Sequence, residues 1–280
     1  VSDIVSVFVL ALVVTSMGLT VKQLARSRAR RATYLRTVRA IRWWMVPAAA
    51  MQLTVVAGTF WVLSEAVPIL RFGWWSALGG SGNIALGQTD NSGFVWSALS
   101  LAIPAALVLL VPFLAHDEER TFRAGAEEWT MATRVRTQVT FGLIHLAMGI
   151  PVAAGIALIV SGFYFERLYL VAVRGNRERI AELRNVPPPA VIDCPPLPVG
   201  APYDPHHWDR VQAERAAVRA ENTRLRLAWE DGEDGEDEAS RRARSLRAEL
   251  RAPALATAAA AHAVSNWIVC ALLFVFMLTT

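Results

Sequence analysis

Long uninterrupted apolar blocks dominate this sequence, and they limit the fold more than any other feature. Residues 4–20, 43–70, 93–115, 132–150, 152–173 and 252–279 are nearly free of charge. Runs of about 18 or more such residues mark helices that cross a bilayer, where every backbone polar group must be satisfied within the segment. Of the 280 residues, 54% are hydrophobic and 19% charged, below the roughly 25% charge of an ordinary soluble domain. Two cysteines, Cys194 and Cys270, exclude a disulfide scaffold or a multi-cysteine zinc site and read as free thiols. The expected class is all-α: a polytopic membrane helix bundle of about six spans with a cytoplasmic helical insertion.

Charge sets the expected orientation. Between the first two blocks stand Lys22, Arg26, Arg28, Arg30, Arg31, Arg36, Arg39 and Arg42 with no acid among them. By the positive-inside rule this loop is cytoplasmic and the N-terminus external. It reads as a topology determinant and interfacial helix rather than as a nucleic-acid site. The first block lacks a basic leader and a small-residue cleavage site, so it reads as a retained span. Trp43, Trp44, Trp74 and Trp75 flank the second block as interfacial aromatics. The Gly- and Asn-rich segment 76–92 reads as an external loop, and Gly149-Ile150-Pro151 as a tight external turn.

Three regions follow: 1–173 as the first five spans, 174–251 as a charged, proline-rich cytoplasmic insertion, and 252–280 as the last span. The insertion holds a proline cluster, a charged helical run over 206–229, the acidic patch DGEDGEDE and a basic run. A helical hairpin with the acidic patch at its turn, free to dock on the basic loop or on a cytoplasmic partner, is one reading; a solvated insert is the other. His206 and His207 read as surface residues.

Ionisable side chains inside spans are costly and point to function by default. That filter selects His145 and His262, each on the order of 13 Å from the nearest flanking arginine at ~1.5 Å per residue. Asn266 shares a helix face with His262 at i+4. Glu118 and Glu119 end the third block, with Arg123 placed for an i,i+4 ion pair with Glu119. Glu127 and Glu128 have Ala132 where an arginine would complete the same pattern, and read as surface. Counted from the block edges, Glu118 is about two turns shallower than the histidines. The groups meet only if the third span starts deeper or a funnel opens to the cytoplasm.

These residues form three motifs in order: Glu118-Glu119-Arg-Thr-Phe-Arg123 (EExxxR), Phe141-Gly-Leu-Ile-His145 (FxxxH) and His262-Ala-Val-Ser-Asn266 (HxxxN). The set resembles the CPBP family of intramembrane proteases, which includes CAAX prenyl endopeptidases and Abi, or bacteriocin-immunity, proteins. Phe122 before Arg123 also fits the family form, whereas Ala124 stands where glycine is common. The resemblance implies an endopeptidase of a bacterial cytoplasmic membrane with its active site facing the cytoplasm. Its substrate would be a membrane-bound or lipidated peptide. Glu118 would activate water with His145, His262 and Asn266 would stabilise the oxyanion, and Glu119, Arg123 and Phe141 would support the site. No cofactor is favoured; if zinc is present, Glu118, His145 and His262 are its ligands. A non-catalytic scaffold or immunity protein binding a partner through the insertion is the alternative, and a solute transporter a weaker third.

Overall fold

The structure, a computed structural model, describes residues 2–78, 93–183, 205–230 and 238–279. The proline cluster with Cys194, most of the 76–92 loop, the acidic patch and the side chain of His206 lie outside the described residues.

Among the described residues the chain is α-helical with short 3-10 turns and no strand. The helices are α1 (Ser2–Arg26), α2 (Arg28–Arg39), α3 (Met45–Ala66), α4 (Trp74–Ala77), α5 (Phe94–Arg123), α6 (Met131–Ile144), α7 (Val152–Val173), α8 (Arg177–Glu182), α9 (Pro205–Glu230) and α10 (Glu238–Thr279). Two compact units result, one formed by Val1–Gly175 with Arg251–Thr280 and one by Asn176–Leu250. In the second unit, Ile180 and Ala243 are buried and the Asn176 side-chain amide donates to the Leu250 carbonyl at 2.9 Å. His207, at the start of α9, is exposed.

Five helices, α1, α3, α5, α7 and α10, are long and apolar enough to cross a membrane among the described residues. Their outer surfaces carry bare apolar side chains such as Phe8, Leu12, Val55, Trp61 and Leu109, which a bilayer accommodates and water does not. The expected sixth span, 132–150, falls short. Its helix α6 has 14 residues, passes into a 3-10 turn over His145–Met148 and stops at Gly149, whose φ is +79°. At ~1.5 Å per residue the α-helical part is about 21 Å long, below the ~30 Å of a hydrocarbon core. Pro151 then caps α7, so the expected break at 149–151 is present.

Local chemistry places each helix. Ser27 interrupts the first helix and caps α2, its hydroxyl accepting from the Arg30 N–H at 3.3 Å. On α2, Arg30 pairs with Asp117 of α5 at 3.6 Å. Pro112 within α5 cannot donate to the carbonyl one turn back. That carbonyl, of Val108, instead accepts the Trp267 indole N–H of α10 at 2.8 Å. The freed acceptor thereby holds two spans side by side. α6 and α7 form a hairpin through glycines, because without Cβ atoms their backbones approach closely. The turn is held to the segment after α3, with Trp74 Nε1 donating to Leu146 O at 2.7 Å and the Val152 N–H donating to Phe72 O at 3.1 Å. In α10, Ala258, Ala259, Ala260, Ala261 and Ala263 are all at most 1% exposed, so the middle of this helix is enclosed on every side.

A Cβ on Gly142 would lie 2.5 Å from both Gly155 O and Ile159 Cγ1. Gly142→Ala is therefore expected to destabilise the chain by about 1–3 kcal/mol. Gly58→Ala, within α3 where nothing lies within 4 Å, should be neutral or slightly stabilising. Thermal unfolding of both variants in detergent checks this pair.

Candidate functional site

The Glu118–Arg123 segment lies in the last turns of α5, which continues well past the apolar block that ends at residue 115. Glu118 and His262 nonetheless come within 3.7 Å of each other, so the groups meet although they stand at different distances from the edges of their apolar blocks.

Glu119 and Arg123 are both completely buried. Arg123 Nη1 donates to Glu119 Oε1 at 3.1 Å, as the i,i+4 spacing requires. A second guanidinium nitrogen, Nη2, reaches the Gly162 carbonyl of α7 at 3.4 Å, and the group lies 4.1 Å from the centre of the Phe141 ring of α6. Gly162 allows this approach, since a Cβ there would stand 2.9 Å from Gln138 Oε1 and 3.1 Å from Phe141 Cδ1.

His262 Nδ1 donates to the same oxygen, Glu119 Oε1, at 2.9 Å. Its ring stacks on Phe165 of α7 with centroids 4.4 Å apart and 17° between planes. The other nitrogen, Nε2, stands 3.7 Å from Glu118 Oε2. That oxygen is buried and has no hydrogen-bond partner among the described residues, although the Glu118 side chain as a whole is 39% exposed. His145 Nδ1 donates to the Phe141 carbonyl at 2.7 Å, leaving Nε2 as the acceptor. Phe141 makes edge contacts with both imidazoles, at centroid distances of 4.9 Å to His145 and 6.1 Å to His262.

Glu118, His145, His262 and Asn266 all line one cavity of about 300 Å³, together with Phe141, Gln52, Ser161 and a largely aliphatic wall. Glu119 and Arg123 lie behind it. Among the described residues, no three His, Cys, Asp or Glu side chains form a group able to hold a metal ion.

Four features escaped sequence reasoning. Glu119 does more than pair with Arg123, because it also fixes His262. Glu127, expected at the surface, is 3% exposed: it accepts from Tyr169 Oη at 2.8 Å and from Arg251 Nε at 2.6 Å, while Glu128 remains exposed. Burial follows from these partners on α7 and α10, which the local pattern does not display. Glu166 of α7, also buried, lies 3.5 Å from Arg134; as an acid inside an apolar block it was visible in the sequence. Gln52 and Ser161, joined at 2.6 Å, are uncharged and passed the filter for ionisable groups.

Comparison with protein-family models, curated proteins and solved structures found no match to this chain.

Replacing one member of a buried ion pair leaves the other charge uncompensated, at a cost of about 3–5 kcal/mol. Glu119→Gln should accordingly lower stability by that order, whereas Glu118→Gln should change it by less than about 1 kcal/mol. Unfolding midpoints of the two variants, measured side by side in detergent, distinguish the adjacent glutamates.

Proposed function

We propose that the chain is an intramembrane endopeptidase of the CPBP type that hydrolyses a peptide bond of a membrane-bound or lipidated substrate. The observation that carries this reading is the convergence of Glu118, His145, His262 and Asn266, drawn from three separated motifs, on one cavity. Charged and polar groups gathered in a low-dielectric site are expensive to keep unless they are used.

Peptide hydrolysis needs a base for water, donors for the oxyanion and a proton for the leaving amine. Glu118 lines the cavity with its side chain 39% exposed, so its carboxylate can accept a proton from water. His145, with Nδ1 spent on the Phe141 carbonyl, accepts a hydrogen bond at Nε2 from the other O–H of the water, which keeps that proton, and so orients the nucleophile. The water oxygen adds to the scissile carbonyl carbon as its proton passes to Glu118. His262 and Asn266, on one face of α10, stabilise the oxyanion, Asn266 by donating from its amide. Each such donor is worth about 2.7–4 kcal/mol. Glu118 then returns the proton to the nitrogen as the C–N bond breaks. Glu119 keeps the His262 ring in register through Nδ1. No step requires a metal.

The arginines of α2, with Lys22 and Arg26 at the end of α1, support a cytoplasmic location for that end of the bundle by the positive-inside rule. Glu118, six residues past the last Pro of α5 and one residue from the Arg30 partner Asp117, is at the same end. On this reading the catalytic face is cytoplasmic.

Glu118→Gln should abolish release of peptides from membranes, by at least about 100-fold, with the unfolding midpoint unchanged. The readout is a mass-spectrometric comparison of peptides released with and without the protein. Unimpaired release by the variant would favour the scaffold reading. Treatment with 1,10-phenanthroline should leave the rate unchanged; a loss reversed by added zinc would put Glu118, His145 and His262 in a metal site instead.

A further inference from the structure

Outside the cavity, charge gathers on α2. This helix stands between α1 and α3, both long and apolar enough to cross a membrane. Its two ends are therefore tied to a bilayer surface, one by the break at Ser27 and the other by residues 40–44, which lead into α3. At about 100° per residue the helix has two distinct faces. Thr37 is buried on one of them. Arg30, on the same face, pairs with Asp117 of α5 at 3.6 Å and lies 5.1 Å from the centre of the Phe113 ring. These contacts fix which face looks outward.

The outward face carries Arg28, Leu35, Arg36 and Arg39, all exposed, within an arc of about 100°. No acid stands on α2. Arg31 and Arg42 are engaged by backbone carbonyls, Arg31 Nη1 donating to Leu24 O at 3.1 Å and Arg42 Nη1 to Arg39 O at 3.4 Å. The guanidinium groups of Arg28, Arg36 and Arg39 have no such partner among the described residues. Leu35, at 46% exposure, and Trp43, at 83%, add bare apolar surface along the same segment.

A guanidinium fork matches the oxygens of a phosphate, and tryptophan settles at headgroup depth. The combination fits a molecule with an anionic phosphate and an apolar body, present at the surface where the segment is anchored. We propose that the outward face of α2 is a binding site for the headgroups of anionic glycerophospholipids. Arg36 and Arg39, one turn apart, share one phosphate, and Arg28, about 12 Å from Arg36 along the helix, meets a second. Leu35 and Trp43 lie against the start of the acyl chains. The assignment is independent of the peptidase reading, because it uses none of the cavity residues.

The test uses the full chain in a nonionic detergent, titrated with dioleoylphosphatidylglycerol or dioleoylphosphatidylcholine, with bound lipid counted by native mass spectrometry. The wild type should take its first phosphatidylglycerol about 25-fold more tightly than phosphatidylcholine, at about fivefold per arginine. Arg36→Gln/Arg39→Gln should bind the two lipids alike. Arg28→Gln should weaken the second phosphatidylglycerol about fivefold and spare the first. Arg136→Gln/Arg174→Gln, a change of equal charge at exposed positions of α6 and the end of α7, should keep the wild-type preference. Lys22, Arg26, Arg30, Arg31 and Arg42 remain in every variant, so the basic bias of the segment persists. If Arg36→Gln/Arg39→Gln does not fold, salt decides on the wild type, whose preference should fall steeply as ionic strength rises. A preference indifferent to salt, equal wild-type affinity for the two lipids, or the same loss in the Arg136/Arg174 control would overturn the proposal. So would displacement of the lipid by inorganic phosphate at matched ionic strength, or tighter binding of a single-stranded oligonucleotide than of phosphatidylglycerol.

Discussion

A guanidinium with no solvent exposure, in the middle of a helix bundle, must be surrounded or the bundle cannot form. Arg123 finds its partners on three helices: Glu119 on its own α5, the Phe141 ring on α6 and the Gly162 carbonyl on α7. Removing such a charge from water costs several kcal/mol, which an ion pair recovers only with good geometry and further hydrogen bonds. That requirement fixes how α5, α6 and α7 approach each other. α10 joins them through His262, which donates to the same Glu119 oxygen. One carboxylate oxygen thus registers elements far apart in the chain. The cavity beside it is as well defined as that contact.

Close packing around this centre relies on what is missing from side chains. Gly142, Gly155 and Gly162 let α6 and α7 meet backbone to backbone, and the alanine run of α10 lets that helix sit enclosed. Where bulk is introduced it does a definite job. Pro112 withholds a helical hydrogen bond, and Trp267 uses the carbonyl so released to join α10 to α5. Phe141 separates the two imidazoles, and Phe165 supports one of them from its face.

Much of this was legible locally. Apolar blocks located the long helices, Gly149 and Pro151 located the α6–α7 turn, and the i,i+4 spacings identified the Glu119–Arg123 pair and the shared face of His262 and Asn266. Reading failed where the deciding partner was distant in sequence. Glu127 resembles a surface acid until Tyr169 and Arg251 are brought to it. The stretch 132–150 has the composition of a span, but its helix ends in a 3-10 turn and comes out short. The Gln52–Ser161 bond joins two uncharged residues whose side chains carry no local signature of burial. Distance from the edge of an apolar block did not show that Glu118 and His262 meet, because α5 does not stop where its hydrophobicity does.

The two adjacent glutamates show how a single helix directs neighbouring acids into different surroundings. Successive residues project about 100° apart around an α-helix, so Glu118 and Glu119 cannot face the same neighbours. Glu119 turns inward to Arg123 and His262 and has no exposure. Glu118 turns to the cavity, partly open, with one oxygen uncommitted. The imidazole of His262 lies between them, bonded to one and 3.7 Å from the other. A carboxylate already holding an arginine and a histidine is poorly placed to move a proton, because any change in its charge would unbalance a buried pair. The carboxylate beside it has only the longer contact to His262. The pairing of acids therefore follows from geometry: one fixes the frame, and the other faces the cavity.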